Sequence, residues 1–315
     1  MKLRQAVETY LDFKHSLGML MESEGRELLA FCRAMGDRDI KTVKPAATLA
    51  FISGTGSITR AWKQKASVLR SFYRFALARE LTRTVPLPAV DPKFPPLRAP
   101  YIYSTAEIGR LLAVTDILQS PRTPLRALGF RTLLLLLYGT GMRISEALAL
   151  TLDDVDLVEC VITIRDTKFF KSRFAPTGSK LTDVLSKYAR CRIRDLPMPT
   201  GTASAFFART HGTHWDCGWT EALFRRVRKE AKVSREGDLK VQPHLHDLRH
   251  TMVQHQLLAW YRAGRDVQYL LPRLATYLGH VDIRSLQHYL SITPELLHEA
   301  NQRFERYASL EHHHA

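Results

Sequence analysis

The sequence predicts a mainly α-helical protein with a small antiparallel β-sheet, divided into two domains. Apolar residues recur at three- or four-residue spacing through most of the chain, which is typical of amphipathic helices. A proline-rich segment interrupts this pattern, and one pair of short strand-like runs lies beyond it. The length of 315 residues is sufficient for two hydrophobic cores.

Residues 1–90 are predicted to form a helical N-terminal domain, because the helical spacing runs from Gln5 to about Arg83 without a strand signal. Its third helical stretch, Thr59 to Leu81, combines an apolar face with a basic one. The basic residues are Arg60, Lys63, Lys65, Arg70 and Arg74. We expect them to contact DNA phosphates, and an ordinary solvated face is the alternative.

A linker is predicted at residues 91–103, because prolines remove backbone donors and fix backbone angles. Prolines cluster between Val85 and Pro100. A second domain, residues 104–309, then begins with a helix that Ser104 or Thr105 can cap. The histidine-rich end, residues 310–315, is interpreted as a tag remnant.

The charge of the chain favours a polyanionic partner. It has 46 Lys and Arg against 31 Asp and Glu, a formal charge of +15 and a pI near 9.8. Nucleic acid is therefore the expected partner, ahead of an acidic membrane surface. The apolar run at Leu133 to Tyr138 is too short to span a bilayer.

The cytoplasm is the expected compartment. Residues 1–12 lack the apolar stretch of a signal peptide. The chain has 4 cysteines, widely spaced and without a CxxC pair, which argues against a disulfide framework.

Two features of the second domain place basic residues beside turns. Gly139 to Leu148 joins a leucine-rich helix to a second helix, so Arg143 lies near a helix N-terminus and Glu146 can orient it. A surface or salt-bridging role is the alternative for an arginine in that position. Val161 to Ile164 and Arg173 to Ala175 are predicted to form a hairpin, whose loop carries Lys168 and Lys171.

The last third of the chain holds further candidates for phosphate chemistry. His246 and Arg249 share one face of a predicted helix. His280 follows the glycine that ends another helix, and Tyr289 comes nine positions later. Singly, each has an ordinary structural explanation; together, their order and spacing indicate a site that attacks phosphate.

The order of these candidates along the chain resembles the tyrosine recombinase (phage integrase) family over roughly residues 104–309. The matching positions are Arg143, a hairpin lysine, His246, Arg249, Leu278-Gly279-His280 and Tyr289. The resemblance implies a catalytic domain preceded by a helical core-binding domain that clamps DNA, here residues 1–90.

The resemblance also implies a mechanism without a metal or other cofactor. Arg143 and Arg249 would hold the scissile phosphate, where guanidinium groups neutralise the charge that grows on the nonbridging oxygens. Tyr289, whose free pKa is about 10, would lose its proton as it attacks, with the assistance of either His246 or the paired arginines. A covalent 3′-phosphotyrosine then conserves the bond until a 5′-hydroxyl rejoins the strand.

The resemblance further implies that two histidines and a lysine assist catalysis. His246 and His280 would assist, and Lys168 would donate a proton to the leaving 5′ oxygen. Lys168 directly follows the first hairpin strand, but phenylalanines replace the usual glycines after it, so Lys171 remains an alternative. His244 is interpreted as a phosphate contact or a spectator.

Further basic residues of the second domain are predicted to contact DNA. They are Lys171, Arg173, Arg225 and Arg228, in addition to His244. A solvated face is the alternative for the helix from Thr220 to Val233. His211, His214 and Cys217 are spaced like half a zinc site, but no second pair follows, so no metal site is expected.

The predicted function is site-specific recombination or integration on double-stranded DNA, for a transposon or another mobile element. Thr293 and Pro294 begin a last helix whose apolar stripe could dock on a neighbouring protomer, giving a tetramer on paired DNA, or within its own chain. Two alternatives remain open: a DNA-binding accessory protein of the same fold, and a type IB topoisomerase-like relaxer.

Overall fold

The computed structural model describes residues 1–55, 58–94, 99–167, 171–195, 201, 203–237, 241–279, 299 and 301, with the backbone alone at 166, 167, 171 and 195. Contacts divide the chain into two units, Met1–Arg98 and Ala99–Ala315. This division falls inside the predicted linker. Each unit has its own core.

The first unit is helical throughout its regular elements. Its helices are α1 (Leu3–Ser16), α2 (Glu22–Met35), a short 3-10 helix (Ile40–Thr42), α3 (Pro45–Ser53) and α4 (Arg60–Ala78). Phe31, Leu69 and Phe72 are fully buried where α1, α2 and α4 meet. The predicted third helical stretch corresponds to α4, whose apolar face enters this core.

The second unit places helices around one small sheet. Its helices are α5 (Thr105–Ala113), a 3-10 helix (Thr115–Leu118), α6 (Arg126–Thr140), α7 (Ile144–Ala149), α8 (Ser179–Asp195), α9 (Cys217–Glu230), α10 (Asp247–Arg262) and α11 (Val267–Leu278). Ser104 caps α5, as predicted, in a reciprocal capping box with Glu107. Leucines of α6 such as Leu133 and Leu136 are fully buried in the core of this unit.

The sheet has the order β1-β2-β3 and is antiparallel. Its strands are β1 (Val155–Asp156), β2 (Val161–Thr167) and β3 (Lys171–Pro176). The predicted hairpin is β2 with β3, in which Ile164 pairs with Arg173. The mainly helical class with a small antiparallel sheet is thereby confirmed.

The beginning of the second unit is bonded to α10. The backbone N–H of Tyr103 donates to Thr251 Oγ1 at 3.0 Å, and the Tyr103 hydroxyl donates to the carbonyl oxygen of His244 at 3.0 Å. The N–H of Tyr101 donates to Asp247 Oδ1 at 3.3 Å. These bonds fix the start of α10, where His246 is the N-cap residue and Arg249 lies in the first turn.

Candidate active site

A glycine turn positions Arg143. Helix α6 ends at Thr140, and Gly141 adopts the left-handed conformation with φ +63°. A Cβ on Gly141 would lie 2.8 Å from Leu278 Cδ2, so the α11 side chain fills the space beside it. Arg143 then takes the N-cap position of α7, with 36% of its side chain exposed. The guanidinium is therefore accessible from solvent.

Glu146 orients Arg143, as the sequence predicted. Arg143 Nη1 donates to Glu146 Oε1 at 2.7 Å, and its backbone N–H donates to Oε2 at 2.9 Å. Burial alone would raise the pKa of the Glu146 carboxyl, but hydrogen bonds from Arg173 and Arg143 hold it below its ordinary value. Glu146 is thus an ionised, largely buried anchor for the guanidinium.

Arg249 is held by backbone carbonyls of two other elements. Its Nη1 donates to the carbonyl oxygen of Gly141 at 2.7 Å, and its Nη2 donates to that of Leu278 at 2.8 Å. The residue is only 3% exposed. The arginine of α10 is therefore bonded both to the turn before Arg143 and to the end of α11.

His246 lies in the same positive environment. It occupies the N-cap position of α10 without a capping hydrogen bond from its side chain, and it remains exposed. The surrounding protein, the charge of Arg249 and, more weakly, that of Arg143 lower the pKa of His246. His246 directly precedes α10 and Arg249 lies in its first turn, so these two residues are close along the chain. An imidazole with a lowered pKa is neutral near pH 7 and can accept a proton.

Asp247 and His244, on either side of His246 in the sequence, are hydrogen-bonded to each other. The His244 ring lies 2.8 Å from Asp247 Oδ2, and this hydrogen bond raises the pKa of His244. The backbone N–H of His244 also donates to Oδ2 at 3.0 Å. Asp247 is therefore a structural acceptor, and His244 is bound to it while keeping an exposed surface.

Three of the six predicted site residues lie outside the described residues: Lys168, His280 and Tyr289. One sequence neighbour each of Lys168 and His280 is described, whereas residues 280–298, which include Tyr289, are not. Lys171 begins β3 immediately after residues 168–170, which lie outside the described part of the chain. Gly279 ends α11 with φ +68°, directly before His280 in the chain. Among the described residues, Arg249 is bonded to the turn that precedes Arg143, and His246 lies at the start of the helix that carries Arg249.

The predicted DNA-contacting residues have different surroundings. Arg60, Lys63 and Arg74 are exposed on α4, and Arg225 is exposed on α9. Arg70 is paired with Asp91, and Lys65 Nζ lies 3.8 Å from Glu27 Oε1. A contact with the DNA backbone outside the catalytic site requires a cation on the protein surface, so the first four match that role better than the paired residues.

Arg228 and Arg173 lie inside the fold. Arg228 is 7% exposed, and its Nη1 donates to Val233 O and Gln242 Oε1, each at 2.9 Å. Arg173 has an 11% exposed side chain and pairs with Glu146. Both positions argue against the predicted phosphate contact. The contact between Arg173 and Glu146 was not anticipated from the sequence, although strand alternation places Arg173 on the same face as buried Ala175.

The half zinc motif has ordinary structural contacts. His214 Nδ1 lies 2.7 Å from the carbonyl oxygen of Leu148, and Cys217 begins α9. No cluster of three potential metal ligands occurs within the described part of the chain. None of the helices in that part has the length and apolar character required to cross a membrane.

Comparisons with a family model and with individual proteins indicate the same family. The model of the phage integrase family matches residues 105–295. The chain is 32% identical over 308 residues to a protein named integrase/recombinase y4rB from Sinorhizobium fredii, covering 96% of this chain and 97% of the relative. It is 28% identical over 278 residues to tyrosine recombinase XerC of Bacillus subtilis, covering 86% of this chain and 84% of the relative.

A solved structure has the same fold. It is a lambda integrase tetramer bound to a Holliday junction, with a TM-score of 0.63 and 18% identity. The match covers 90% of this chain and 75% of that one. Because the family model covers most of this chain and a relative is 32% identical over nearly all of it, the chain belongs to the phage integrase family and is a tyrosine-type site-specific recombinase, an enzyme that breaks and rejoins DNA.

Proposed function

We propose that Arg143 and Arg249 bind the nonbridging oxygens of the scissile phosphate. The observation that carries this assignment is the pair of hydrogen bonds through which Arg249 joins the Gly141 turn to the end of α11. Two fixed guanidinium groups match the charge that develops on a phosphate under in-line attack. They supply the positive charge in this mechanism.

Tyr289 is the proposed nucleophile. Its hydroxyl oxygen attacks phosphorus, the bond to the 5′ oxygen breaks, and a 3′-phosphotyrosine forms. His246 accepts the proton of the tyrosine, which agrees with its lowered pKa. His280 assists at the phosphate, and Lys168 donates a proton to the leaving 5′ oxygen. Attack by a 5′-hydroxyl then reverses these bond changes and releases the tyrosine.

The test uses nicked duplexes made from sequences that flank the gene, in which the cleaved strand loses a short fragment and cannot be rejoined. The full-length protein is expected to form a covalent protein–DNA adduct, and Tyr289→Phe is expected to abolish it. An adduct that persists in Tyr289→Phe would refute the assignment. Strand exchange between two site-bearing duplexes, rather than relaxation alone, distinguishes recombination from topoisomerase-like activity.

A sulfur substitution distinguishes the two lysines. A bridging 5′ sulfur leaves as a thiolate, with a much lower pKa than an alcohol, and does not require a general acid. Lys168→Ala is expected to lose cleavage on ordinary DNA and to recover it on the sulfur-containing strand. If Lys171→Ala shows that recovery and Lys168→Ala does not, Lys171 is the acid.

The proposal extends to the roles of the two domains and to the assembly of protomers on DNA. Residues 1–90 act as the DNA clamp through the exposed basic residues of α4, and residues 104–309 carry the catalysis. Protomers form a tetramer on two paired recombination sites, as the lambda integrase structure does on a Holliday junction. The segment after Tyr289 links neighbouring protomers, and the DNA belongs to a transposon or another mobile element. Sedimentation of the protein with one and two site-bearing duplexes measures this assembly.

A further inference from the structure

We propose that Arg173 is a positioning residue, which controls the charge and orientation of Arg143 through Glu146 and holds the end of α11. This inference rests on the proposed function, in which Arg143 binds the scissile phosphate. It replaces the phosphate contact that the sequence suggested for Arg173.

Arg173 connects two separate elements with one side chain. Its Nη1 and Nη2 donate to the two carboxylate oxygens of Glu146, at 3.1 and 2.6 Å. Its Nε donates to the carbonyl oxygen of Tyr277 at 3.1 Å. Only the planar guanidinium presents donors in this forked arrangement, so a lysine cannot make all three contacts. The side chain therefore bonds α7 to the last turn of α11.

The charges around Glu146 give this contact a direct role in phosphate binding. Arg143 and Arg173 both donate to the same carboxylate, whose side chain is only 8% exposed. Two guanidinium groups share one carboxylate, so the trio retains one net positive charge. Without Arg173, the carboxylate would pair with Arg143 alone, and that pair would be neutral. The attraction of Arg143 for a phosphate would fall accordingly.

Arg173 also holds the end of α11 in place. The carbonyl oxygen of Tyr277 accepts from Arg173, and that of Leu278 accepts from Arg249. A Cβ on Gly279 would lie 2.8 Å from Arg173 Nη1, so the guanidinium lies against the glycine itself. Arg173 thus helps to fix the backbone from which the chain continues to His280.

The experiment compares DNA affinity with cleavage in the full-length protein. Arg173→Ala and Arg173→Lys are measured by fluorescence anisotropy at several salt concentrations and by adduct formation on nicked duplexes. Affinity and its salt dependence are expected to change no more than they do in Arg143→Ala, because Arg173 acts on the phosphate only through Arg143. The rate of adduct formation is expected to fall about 100-fold in Arg173→Ala, the scale of a misplaced catalytic group. The rate of adduct formation is expected to fall less in Arg173→Lys than in Arg173→Ala.

A second variant distinguishes positioning from general destabilisation. Glu146→Gln removes the carboxylate charge that would neutralise Arg143 when Arg173 is absent. The double variant Arg173→Ala, Glu146→Gln is therefore expected to cleave faster than Arg173→Ala alone. If both substitutions acted only by destabilising the fold, their effects would add, and the double variant would cleave more slowly than Arg173→Ala.

A neutral substrate adds an independent readout. A methylphosphonate at the cleavage position has no negative charge for Arg143 to bind. On that substrate, the cleavage rate of Arg173→Ala is expected to lie closer to that of wild type than it does on ordinary DNA. The same is expected for Arg143→Ala. A defect caused by poor folding would persist on both substrates, and circular dichroism identifies any variant that fails to fold. If Arg173→Ala does not fold, Arg173→Lys gives the same comparison.

Two results would overturn the proposal. One is wild-type cleavage by Arg173→Ala. The other is a loss of affinity, with a decrease of about 0.9 in the slope of log K against log salt, that still appears when Arg173→Ala is added to Arg143→Ala, the signature of a phosphate contact made by Arg173 itself. Failure of the proposed function is distinguishable, since wild type would then form no adduct or Tyr289→Phe would retain it.

Discussion

Arg249 Nη1 donates a 2.7 Å hydrogen bond to the carbonyl oxygen of Gly141, two residues before Arg143. One phosphate-binding arginine is thus bonded to the turn that positions the other. A change at either residue should disturb both guanidinium groups, and their separate substitution should give non-additive losses.

Arg249→Lys should cleave at least about 100-fold more slowly than wild type, because one ammonium cannot keep the two carbonyl contacts and also bind phosphate in a forked geometry. Adduct formation measures the rate. Arg262→Lys, at the exposed opposite end of α10, is the matched control and should cleave normally. Equal cleavage by the two variants would contradict the role given to Arg249.

Gly141→Ala should destabilise the second unit by about 2–4 kcal/mol, from left-handed backbone strain and from the contact with buried Leu278. The control is Gly264→Ala, since Gly264 has a similar φ of +65° but no atom within 4 Å of an added Cβ. It should cost only about 1–2 kcal/mol. Denaturant unfolding measures both, and equal losses would show that crowding at Gly141 is unimportant.

The cleavage rate should hold as pH falls from 7 through 6.5 and decline only below that value. The pKa of His246 is lowered, so the ring stays neutral and able to accept a proton until the medium is more acidic than an ordinary histidine requires. Single-turnover rates between pH 4.5 and 8 give the midpoint. His246→Gln, which cannot titrate, should lose this acid limb. A midpoint above 6.5 would contradict the prediction.

Alanine at Arg60, Lys63 or Arg74 should weaken binding to all DNA sequences similarly and reduce the salt slope by about 0.9 for each lost phosphate contact. These three cations are exposed on one face of α4. Arg4→Ala provides the control, because Arg4 is also exposed but pairs with Glu8 within α1. The DNA-clamp assignment would fail if the α4 variants behaved like this control.

Charge reversal can distinguish the two ways in which the C-terminal segment docks. Arg262 Nε donates to Glu299 Oε1 at 3.0 Å within this chain. If the pair forms between protomers during synapsis, Arg262→Glu and Glu299→Arg should each assemble poorly, and an equal mixture should recover, because opposite charges then meet at every interface. Sedimentation on paired duplexes measures recovery. A mixture that stays defective would favour docking within the chain.

The sequence predicted helices, the hairpin and the glycine turn because these depend on local spacing and backbone conformation. It also brought Arg143, His246 and Arg249 together through a family resemblance. It did not predict that Glu146 serves two arginines, because β3 and α7 are distant in sequence and their contact depends on tertiary packing. Hydropathy was misleading in β3, where Phe174 is 69% exposed while charged Arg173 points inward.

The hydrogen bonds of Tyr101 and Tyr103 to the first turns of α10 have a mechanical consequence. Tension applied to the chain upstream of residue 101 would load Asp247 and Thr251 first, on the helix that carries Arg249. Any pull transmitted along this part of the polypeptide would therefore reach the phosphate-binding helix directly, without passing through the sheet.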